Sequence, residues 1–298
     1  MEPLFAMPDV LSPHDAVVAA AVDHPHIAND LAQNAVNCLI LEVDTYPKPG
    51  LVSHIDTGAH TDMNCHLLYR SASTLAPAFE QLGMAGMRNE PMHSLRRIGL
   101  AAEHAMLHAT GGINTHRGAL FGLGLLVAAA GYRSHHVSAL SLGEIVKAHW
   151  GQDILATPGN SRTHGGQMRQ KYGAGGAAAQ AVAGFPSLYH TGLPALRQGR
   201  VLSNGNEHAA RVHACFALIA TLCDTNVLYR TGQEGLAYAQ SMAQSFLDNG
   251  GVGAADWYRC AESIHQAFVH RNISPGGAAD LLAMTLFVDA QDRGDPCS

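Results

Sequence analysis

The chain has 298 residues, of which 47% are hydrophobic and only 14% are charged, and this composition excludes a disordered chain. Its formal net charge of −6 is opposite to what a nucleic-acid polymer attracts, so we expect no such partner. Gly, His or Arg interrupts every apolar run before it reaches the roughly 18–20 residues of a membrane span. The N-terminus lacks a signal-peptide pattern, and a cytoplasmic protein with no membrane partner is predicted.

Aromatic residues make up 6% of the chain, whereas Ala, Leu and Gly are abundant, and this balance favours helix packing over sheets. The six cysteines form no C-x-x-C pair, and four of them lie within apolar helical sequence. We therefore expect reduced cysteines in the core, without disulfides or a zinc site.

Hydrophobic periodicity predicts helices along almost the whole chain. The predicted helices are 14–22, 27–43, 67–87 with a kink at Pro77, 91–108, 119–130, 142–155, 168–183 loosened at its GAGG, 207–229, 234–247, 254–269 and 275–288, the last capped by Ser274. Residues 132–140, 156–166 and 190–206 are predicted connections. Since no segment alternates as a strand does, the chain is predicted to be one all-α domain over residues 1–298, with 1–25 as a peripheral segment.

The segment EVDTYPKPGLVSHIDTGAHTD, residues 42–62, interrupts this helical pattern. Pro47, Pro49 and Gly50 predict that the preceding helix stops near Tyr46. The break presents groups of both charges: Glu42, Asp44, Lys48, His54, Asp56, His60 and Asp62. A solvated polar loop is the alternative interpretation, but the rigid Gly/Pro context favours a functional site.

Three carboxylates lie in apolar sequence, namely Glu42, Asp224 and Asp280. A buried carboxylate needs a cation or hydrogen-bond donors, so structural ion pairs are one explanation. Together with Asp62, these residues suggest a shared site for a hard cation. Mg²⁺ prefers oxygen ligands, keeps some of its waters and bridges phosphates, which suits a few carboxylates.

Several predicted helix entrances also carry cationic groups. The sequence TGGINTHRG places Asn114 as a cap beside His116 and Arg117, and TPGNSRTHGG places Arg162 and His164 similarly. Lys48 and Arg230 lie at other helix ends. Because a helix N-terminus attracts anions, these groups are predicted to clamp a polyphosphate, with solvated basic residues as the alternative.

With these residues assembled, the chain resembles the triphosphoribosyl-dephospho-CoA synthase family from about residue 35 to residue 288. The resemblance rests on EVDTYPKPGLVS, GAHTDM, GGINTHRGALFGLGLL, GFP, DTNVLYRTG and SPGGAADLLA, in this order. TGGINTHRGA and DTNVLYR are closer to the branch serving malonate decarboxylase than to the citrate lyase branch. One departure is that Ala178 and Gln180 stand where family members often carry Arg and Glu, which leaves any role of that pair in doubt.

The resemblance implies an enzyme that transfers the 5-triphosphoribosyl group of ATP to the 2′-hydroxyl of 3′-dephospho-CoA and releases adenine. The product would be the prosthetic-group precursor for the malonate decarboxylase acyl carrier protein. Mg²⁺ is the implied cofactor, and a homodimer is a possible assembly.

The expected site residues divide by role. The residues assigned to Mg²⁺ are Glu42, Asp62, Asp224 and Asp280, and those assigned to phosphate are Lys48, His116, Arg117 and Arg230. Other substrate contacts are assigned to Asn114, His164 and Ser274. The proton acceptor is His60 or Asp62, and Glu42 is also assigned to catalysis.

Three alternatives stay open. The same reaction could serve citrate lyase. A Mg²⁺-dependent glycohydrolase of ADP-ribose-type bonds would use a similar carboxylate set, with water replacing the hydroxyl. A non-catalytic helical subunit of the decarboxylase complex would bind partner chains without turning over ATP.

Overall fold

The computed structural model describes residues 25–156 and 164–294, and within these ranges the chain forms helices and no strand. In chain order the α-helices are α1 (Pro25–Val43), α2 (Cys65–Thr74), α3 (Ala76–Met87), α4 (Met92–Ala109), α5 (Arg117–His135), α6 (Leu142–Ala156), α7 (His164–Tyr172), α8 (Gly176–Val182), α9 (Leu193–Leu202), α10 (Glu207–Thr221), α11 (Thr225–Asp248), α12 (Trp257–His270) and α13 (Gly276–Arg293). A π-helical turn spans Leu188–Gly192 and a 3₁₀ turn Gly251–Gly253. The all-α fold class is confirmed. The predicted helix at 14–22 and the peripheral segment up to residue 24 lie outside the described residues.

Helix α5 is the central element. From Ala119 to Gly131 nearly every residue is buried, because this stretch is apolar on all faces and can only be accommodated inside the bundle. Helices α1, α3, α4, α6, α8 and α13 pack around it. Helix α10 forms a second buried axis, packed against α9, α11 and α13.

Several predicted boundaries were wrong. Pro77 does not kink one long helix but lies in the first turn of α3, because the chain breaks at Leu75 and Pro is tolerated at a helix start. Residues 190–206 are mostly helical rather than a connection, since Leu193 and Leu196 are buried and anchor α9. Helix α5 continues to His135, through part of the predicted connection at 132–140.

The region 207–248 is also divided differently from the prediction. The chain leaves helical geometry after Thr221 and starts α11 at Thr225, so the predicted helix 207–229 is two helices. The predicted break before Glu234 is instead a kink inside α11 at Gly232, whose φ of 68° is left-handed. The structural reason is Asp224, which caps α11 rather than continuing α10.

No disulfide links the described cysteines, and the prediction that the cysteines lie in the core was wrong for two of them. Cys38 and Cys215 are buried, whereas Cys223 and Cys260 are exposed. Among the described residues, none of the helices alone has the length and hydropathy of a membrane span; α10 and α11 meet that criterion only as a pair bent by 60°.

Glycines allow α3 and α5 to approach closely. A Cβ on Gly86 would lie 1.8 Å from the Ala128 carbonyl oxygen, and one on Gly131 would lie 2.1 Å from the Gly83 oxygen. Both obstacles are backbone atoms, so the helices themselves would have to separate. The spacing of the two helices therefore depends on the absence of side chains at these positions.

We expect Gly86→Ala to lower the free energy of unfolding by roughly 1–3 kcal/mol, because the new methyl group overpacks the α3–α5 interface. The measurement is urea unfolding followed by circular dichroism. Gly151→Ala in α6 is the matched control, since its Cβ would meet its nearest neighbour at 3.8 Å, an ordinary contact. A Gly86→Ala protein as stable as the control would contradict the close approach.

Candidate active site

A cavity of about 1240 Å³ lies where the 42–62 loop meets the N-terminal ends of α5, α8, α11 and α13. Its walls carry residues from the sequence blocks noted above, although these blocks are far apart in the chain. The predicted site residues among its lining are Glu42, His60, Asp62, Asn114, His116, Arg117, Asp224, Arg230, Ser274 and Asp280. Pockets for drug-sized ligands measure roughly 300–1000 Å³, so this cavity exceeds the needs of one such ligand.

Two predicted residues are not in that lining. Lys48 is fully buried and forms an ion pair with Glu42, so it reaches the cavity only through that carboxylate. His164 begins α7, but its side chain lies outside the described part of the structure, as does Arg162.

The 42–62 loop is fixed by histidines that the sequence did not single out. His265 on α12 is fully buried, with Nδ1 2.7 Å from the Lys48 carbonyl oxygen and Nε2 3.0 Å from Asp56 Oδ2. His208 Nε2 accepts a hydrogen bond from the Tyr46 backbone N–H at 3.2 Å. At Gly50 a Cβ would lie 2.0 Å from the Ile273 carbonyl oxygen, so the loop packs directly on the α12–α13 connection.

Asp224 joins the N-termini of two helices. Its Oδ1 accepts from the N–H groups of Asn226 and Val227 at the start of α11, at 2.8 and 3.4 Å. Its Oδ2 accepts from Ala278 N–H of α13 at 3.0 Å, and Gly277 N–H adds a further hydrogen bond. Burial raises the pKa of this carboxyl, and the backbone donors counteract that rise. Four donors match the roughly four lone-pair positions of a carboxylate, so in this arrangement Asp224 is already satisfied.

Asp280 lies at the N-terminus of α5. A Cβ on Gly118 would lie 2.0 Å from Asp280 Oδ2, so only glycine leaves room for this carboxyl, and Ala119 N–H donates to it. Burial raises the pKa of Asp280 well above its ordinary value, and the nearby Glu42 and Asp224 add to the rise. The helix entrance predicted to bind an external anion is thus partly occupied by the chain's own carboxyl.

The carboxyl groups of the cavity could coordinate a metal ion only together with other ligands. Within the described residues, no three Asp, Glu, His or Cys side chains converge closely enough to hold an ion unaided. Mg²⁺ does not require such a cage, because one or two carboxylates plus waters and substrate phosphates satisfy it. Glu42, Asp62 and Asp280 face the cavity and are compatible with this kind of site, whereas the Asp224 oxygens are taken by N–H groups.

His116 is buried in the cavity wall. Its Nδ1 lies 2.7 Å from Ser71 Oγ, which in turn lies 2.6 Å from Thr115 Oγ1. Its Nε2 has no hydrogen-bond partner within the described structure. Burial, together with the positive charge of Lys48, lowers the pKa of His116 to about 4, so the imidazole is neutral at pH 7. It can therefore offer a hydrogen bond but no positive charge.

Arg117 is paired with a residue that sequence reasoning missed. Its Nη2 and Nε lie 2.6 and 2.7 Å from Glu103 Oε1, in the last two turns of α4. Asn114 Oδ1 accepts from the Arg117 backbone N–H at 3.2 Å, but the N-cap of α5 is His116 and not Asn114 as predicted. Glu103 has no distinguishing sequence signal, because it lies in an ordinary amphipathic helix.

Arg230, His60 and Ser274 form a second connected group in the cavity lining. Arg230 donates to the Ala59 carbonyl oxygen at 2.8 Å, to Asn272 Oδ1 at 2.9 Å and to His60 Nδ1 at 3.2 Å. His60 Nε2 lies 2.8 Å from Ser274 Oγ. Burial and the Arg230 charge lower the pKa of His60, while Asp62, 3.4 Å from Nδ1, opposes that effect.

Ser274 does not cap α13, contrary to the prediction. The helix begins at Gly276, with Pro275 at the N-cap, and the Ser274 hydroxyl is directed to His60 instead. Ala178 and Gln180 line the cavity. These are the positions where members of the family that the sequence resembles often carry Arg and Glu. Gln180 donates to Ser187 Oγ at 2.8 Å and accepts from Ser187 N–H at 3.1 Å, so its amide anchors the chain before the π-helical turn.

Over the residues that the structure describes, the fold and the cavity define a helical protein with a large site lined by carboxyl groups and arginines. A family model described as ATP:dephospho-CoA triphosphoribosyl transferase matches residues 28–297. The chain belongs to this family.

Similar proteins carry the corresponding name. A probable 2-(5″-triphosphoribosyl)-3′-dephosphocoenzyme-A synthase of Pseudomonas fluorescens Pf-5 is 41% identical over 277 residues, covering 91% of this chain and 94% of that protein. Proteins of the same name from Pseudomonas putida and Azotobacter vinelandii are 42% and 38% identical, over 88% and 91% of this chain and 95% and 94% of theirs. Comparison with solved structures gives no significant match.

The buried His116 makes folding stability depend on pH. The unfolded chain binds a proton at this residue as the pH falls below about 6.5, whereas the folded protein resists protonation down to about 4. Stability from this residue is therefore complete above pH 6.5 and is lost between pH 6.5 and 4. We expect the wild type to lose about 2 kcal/mol more than His116→Gln between pH 7 and pH 5.

The measurement is urea unfolding of both proteins at half-unit pH steps. Parallel curves of unfolding free energy against pH would show that His116 is not held neutral by its surroundings.

Proposed function

We propose that this protein transfers the 5-triphosphoribosyl group of ATP to the 2′-hydroxyl of 3′-dephospho-CoA. In this reaction the hydroxyl oxygen forms a bond to C1′ of the ATP ribose, and the bond from C1′ to the adenine nitrogen breaks. The hydroxyl proton leaves to a base, adenine departs with a proton, and the triphosphate stays on the product. The observation that carries the proposal is membership of the family, since its model covers nearly the whole chain.

The size of the cavity supports a reaction between two nucleotides. At about 1240 Å³ it exceeds the roughly 300–1000 Å³ of a pocket for one drug-sized ligand. Holding two substrates in contact supplies much of the rate in such a transfer, because the reacting atoms no longer have to find each other in solution. A hydrolase of one nucleotide would need less space.

The charge of the cavity supports a role for Mg²⁺. Five carboxyl groups line it, from Glu42, Asp62, Glu103, Asp224 and Asp280, and Glu103 is paired with Arg117. A triphosphate among these groups would need a counter-ion, and such an ion would favour the ionised form of Asp280, whose pKa burial raises. Glu42 and Asp280 would hold the ion at the floor, with Asp62 near the mouth, and substrate phosphates and water would complete its coordination. When bound, Mg²⁺ supplies positive charge to the phosphates.

The remaining residues would divide between anchoring and binding. Asp224 would act by holding the starts of α11 and α13 together, since its oxygens are occupied by backbone donors. Lys48 would hold and orient the Glu42 carboxyl through their ion pair. Arg117 and Arg230 lie in the lining and would contact phosphate, with Asn114 and His116 beside the former.

Of the two candidate proton acceptors, we favour Asp62. It is 58% exposed, so a substrate hydroxyl can reach it, whereas His60 already receives a hydrogen bond from Arg230 on Nδ1. A carboxylate at this position would take the hydroxyl proton as the bond to C1′ forms. Positive charge that develops on the ribose would be stabilised by the surrounding carboxylates.

We further propose that the product serves the acyl carrier protein of malonate decarboxylase, in the cytoplasm. This assignment depends on the motifs TGGINTHRGA and DTNVLYR, and citrate lyase is the alternative destination. Gene-neighbourhood data or transfer of the product to either carrier protein would decide between them.

Purified protein incubated with ATP, Mg²⁺ and dephospho-CoA should release adenine and form a dephospho-CoA adduct that carries a triphosphoribosyl group, detectable by chromatography and mass spectrometry. Removing Mg²⁺ with EDTA should abolish turnover, because the acidic cavity then repels the triphosphate. Adenine release without dephospho-CoA would indicate the glycohydrolase instead. Absence of turnover together with stable binding to decarboxylase chains would indicate the non-catalytic subunit.

Asp62→Asn should lower kcat for adenine release roughly 100-fold or more, because an amide cannot accept the hydroxyl proton. The exposed Asp248 at the end of α11 lies outside the cavity lining, so Asp248→Asn is the matched control and should leave turnover unchanged. Assays at rising Mg²⁺ concentration separate the roles of Asp62 as metal ligand and as proton acceptor. If the variant only weakens metal binding, its turnover should recover at high Mg²⁺. Near-normal turnover of Asp62→Asn would remove Asp62 from the chemistry.

A further inference from the structure

We propose that Arg230, His60 and Ser274 form a one-directional hydrogen-bond relay whose terminal Ser274 hydroxyl donates to a phosphate oxygen of a substrate nucleotide. In this arrangement His60 is a positioning residue, and Ser274 is the residue that touches the ligand. The inference rests on the proposed function, because it takes the ligand of the cavity to be a nucleotide phosphate.

The direction of the relay follows from its first member. A guanidinium group has only donors, so the contact of Arg230 Nη2 with His60 Nδ1 at 3.2 Å requires Nδ1 to accept. In a neutral imidazole, the other nitrogen then carries the hydrogen. His60 Nε2–H therefore donates to Ser274 Oγ across the 2.8 Å contact.

The guanidinium group of Arg230 is held in this position by further hydrogen bonds. Its Nη1 is fixed by hydrogen bonds to the Ala59 carbonyl oxygen and to Asn272 Oδ1. A hydrogen on His60 Nδ1 would require the guanidinium to turn away from both. Asp62 Oδ1 lies 3.4 Å from the same nitrogen, farther than Arg230 Nη2 at 3.2 Å. The two hydrogen bonds exclude each other, because Nδ1 can accept from Arg230 only without the hydrogen that it would need to donate to Asp62.

The consequence falls on Ser274. Its oxygen accepts from His60, and its own hydrogen has no acceptor among the residues that the structure describes. Ser274 is 2% exposed, yet it belongs to the cavity lining, so a ligand there is the available acceptor. Hydrogen bonds in a chain polarise one another, and a chain that starts at a guanidinium strengthens the final donor toward an anion.

The same geometry bears on catalysis. Since Nδ1 accepts from Arg230 and Nε2 carries a hydrogen, His60 has no lone pair free to take the proton of the substrate hydroxyl. The relay thus separates two functions that a histidine in such a site could serve. One variant distinguishes them, because glutamine has a carbonyl oxygen that can accept from Arg230 and an N–H that can donate to Ser274, but it cannot act as a base.

The experiment compares Ser274→Ala, His60→Ala and His60→Gln with the wild type. Binding of Mg·ATP and of dephospho-CoA is measured separately by titration calorimetry, and kcat and KM are measured by adenine release. We expect Ser274→Ala and His60→Ala to weaken binding of one nucleotide roughly 10- to 100-fold, because each removes a hydrogen bond to a charged group. His60→Gln should restore most of that affinity and keep kcat. The nucleotide whose binding changes identifies the phosphate.

Two results would overturn the relay. One is unchanged binding of both nucleotides to Ser274→Ala. The other is a His60→Gln protein that binds normally but has lost kcat, which would make His60 the proton acceptor. If the wild type binds nucleotides but releases no adenine, the proposed function fails while the calorimetric arm still tests the relay. Thermal unfolding of each variant verifies that it is folded. If His60→Ala does not fold, the binding measurements on Ser274→Ala alone still test the relay.

Discussion

The ion pair between Lys48 and Glu42 is the interaction on which the site depends. The ammonium group is fully buried and pairs with Glu42, whose carboxyl group lines the cavity. A buried charge left without its partner is far more costly than a surface one, so the pair fixes the end of α1 against the 42–62 loop. The same charge lowers the pKa of His116 across the wall.

Charged side chains have different kinds of partner in two parts of the cavity lining. At the floor, carboxyl groups are bound by helix N-termini: Asp224 by α11 and α13, and Asp280 by α5. Positive helix ends that could attract a substrate anion are thereby occupied from within the protein. At the edge, arginines remain in the lining, one paired with Glu103 and one tied into hydrogen bonds. The proposed binding of a cation in the first region and of phosphate in the second follows this division.

Sequence reasoning predicted the fold class and singled out ten of the polar residues that line the cavity, because both depend on local signals. Apolar periodicity marks helices, and isolated carboxylates such as Asp224 and Asp280 stand out in apolar sequence. It missed contacts between residues that are far apart in the chain. Ser274 looks like a helix cap in its own segment, and only the three-dimensional contact with His60 gives its hydroxyl another partner. His265 and Glu103 sit in ordinary amphipathic helices, where nothing local separates a residue that fixes a loop from one that meets solvent.

The contact between His60 and Ser274 joins residues 214 positions apart, and the His265 contact with Lys48 joins residues 217 apart. Contacts of such separation form only after the intervening chain has been brought together, which makes them slow and late. Because the chain is synthesised from its N-terminus, the early loop must wait for α12 and the start of α13 to leave the ribosome. A chain that still lacks these last two helices therefore has no assembled site with which to bind nucleotides prematurely.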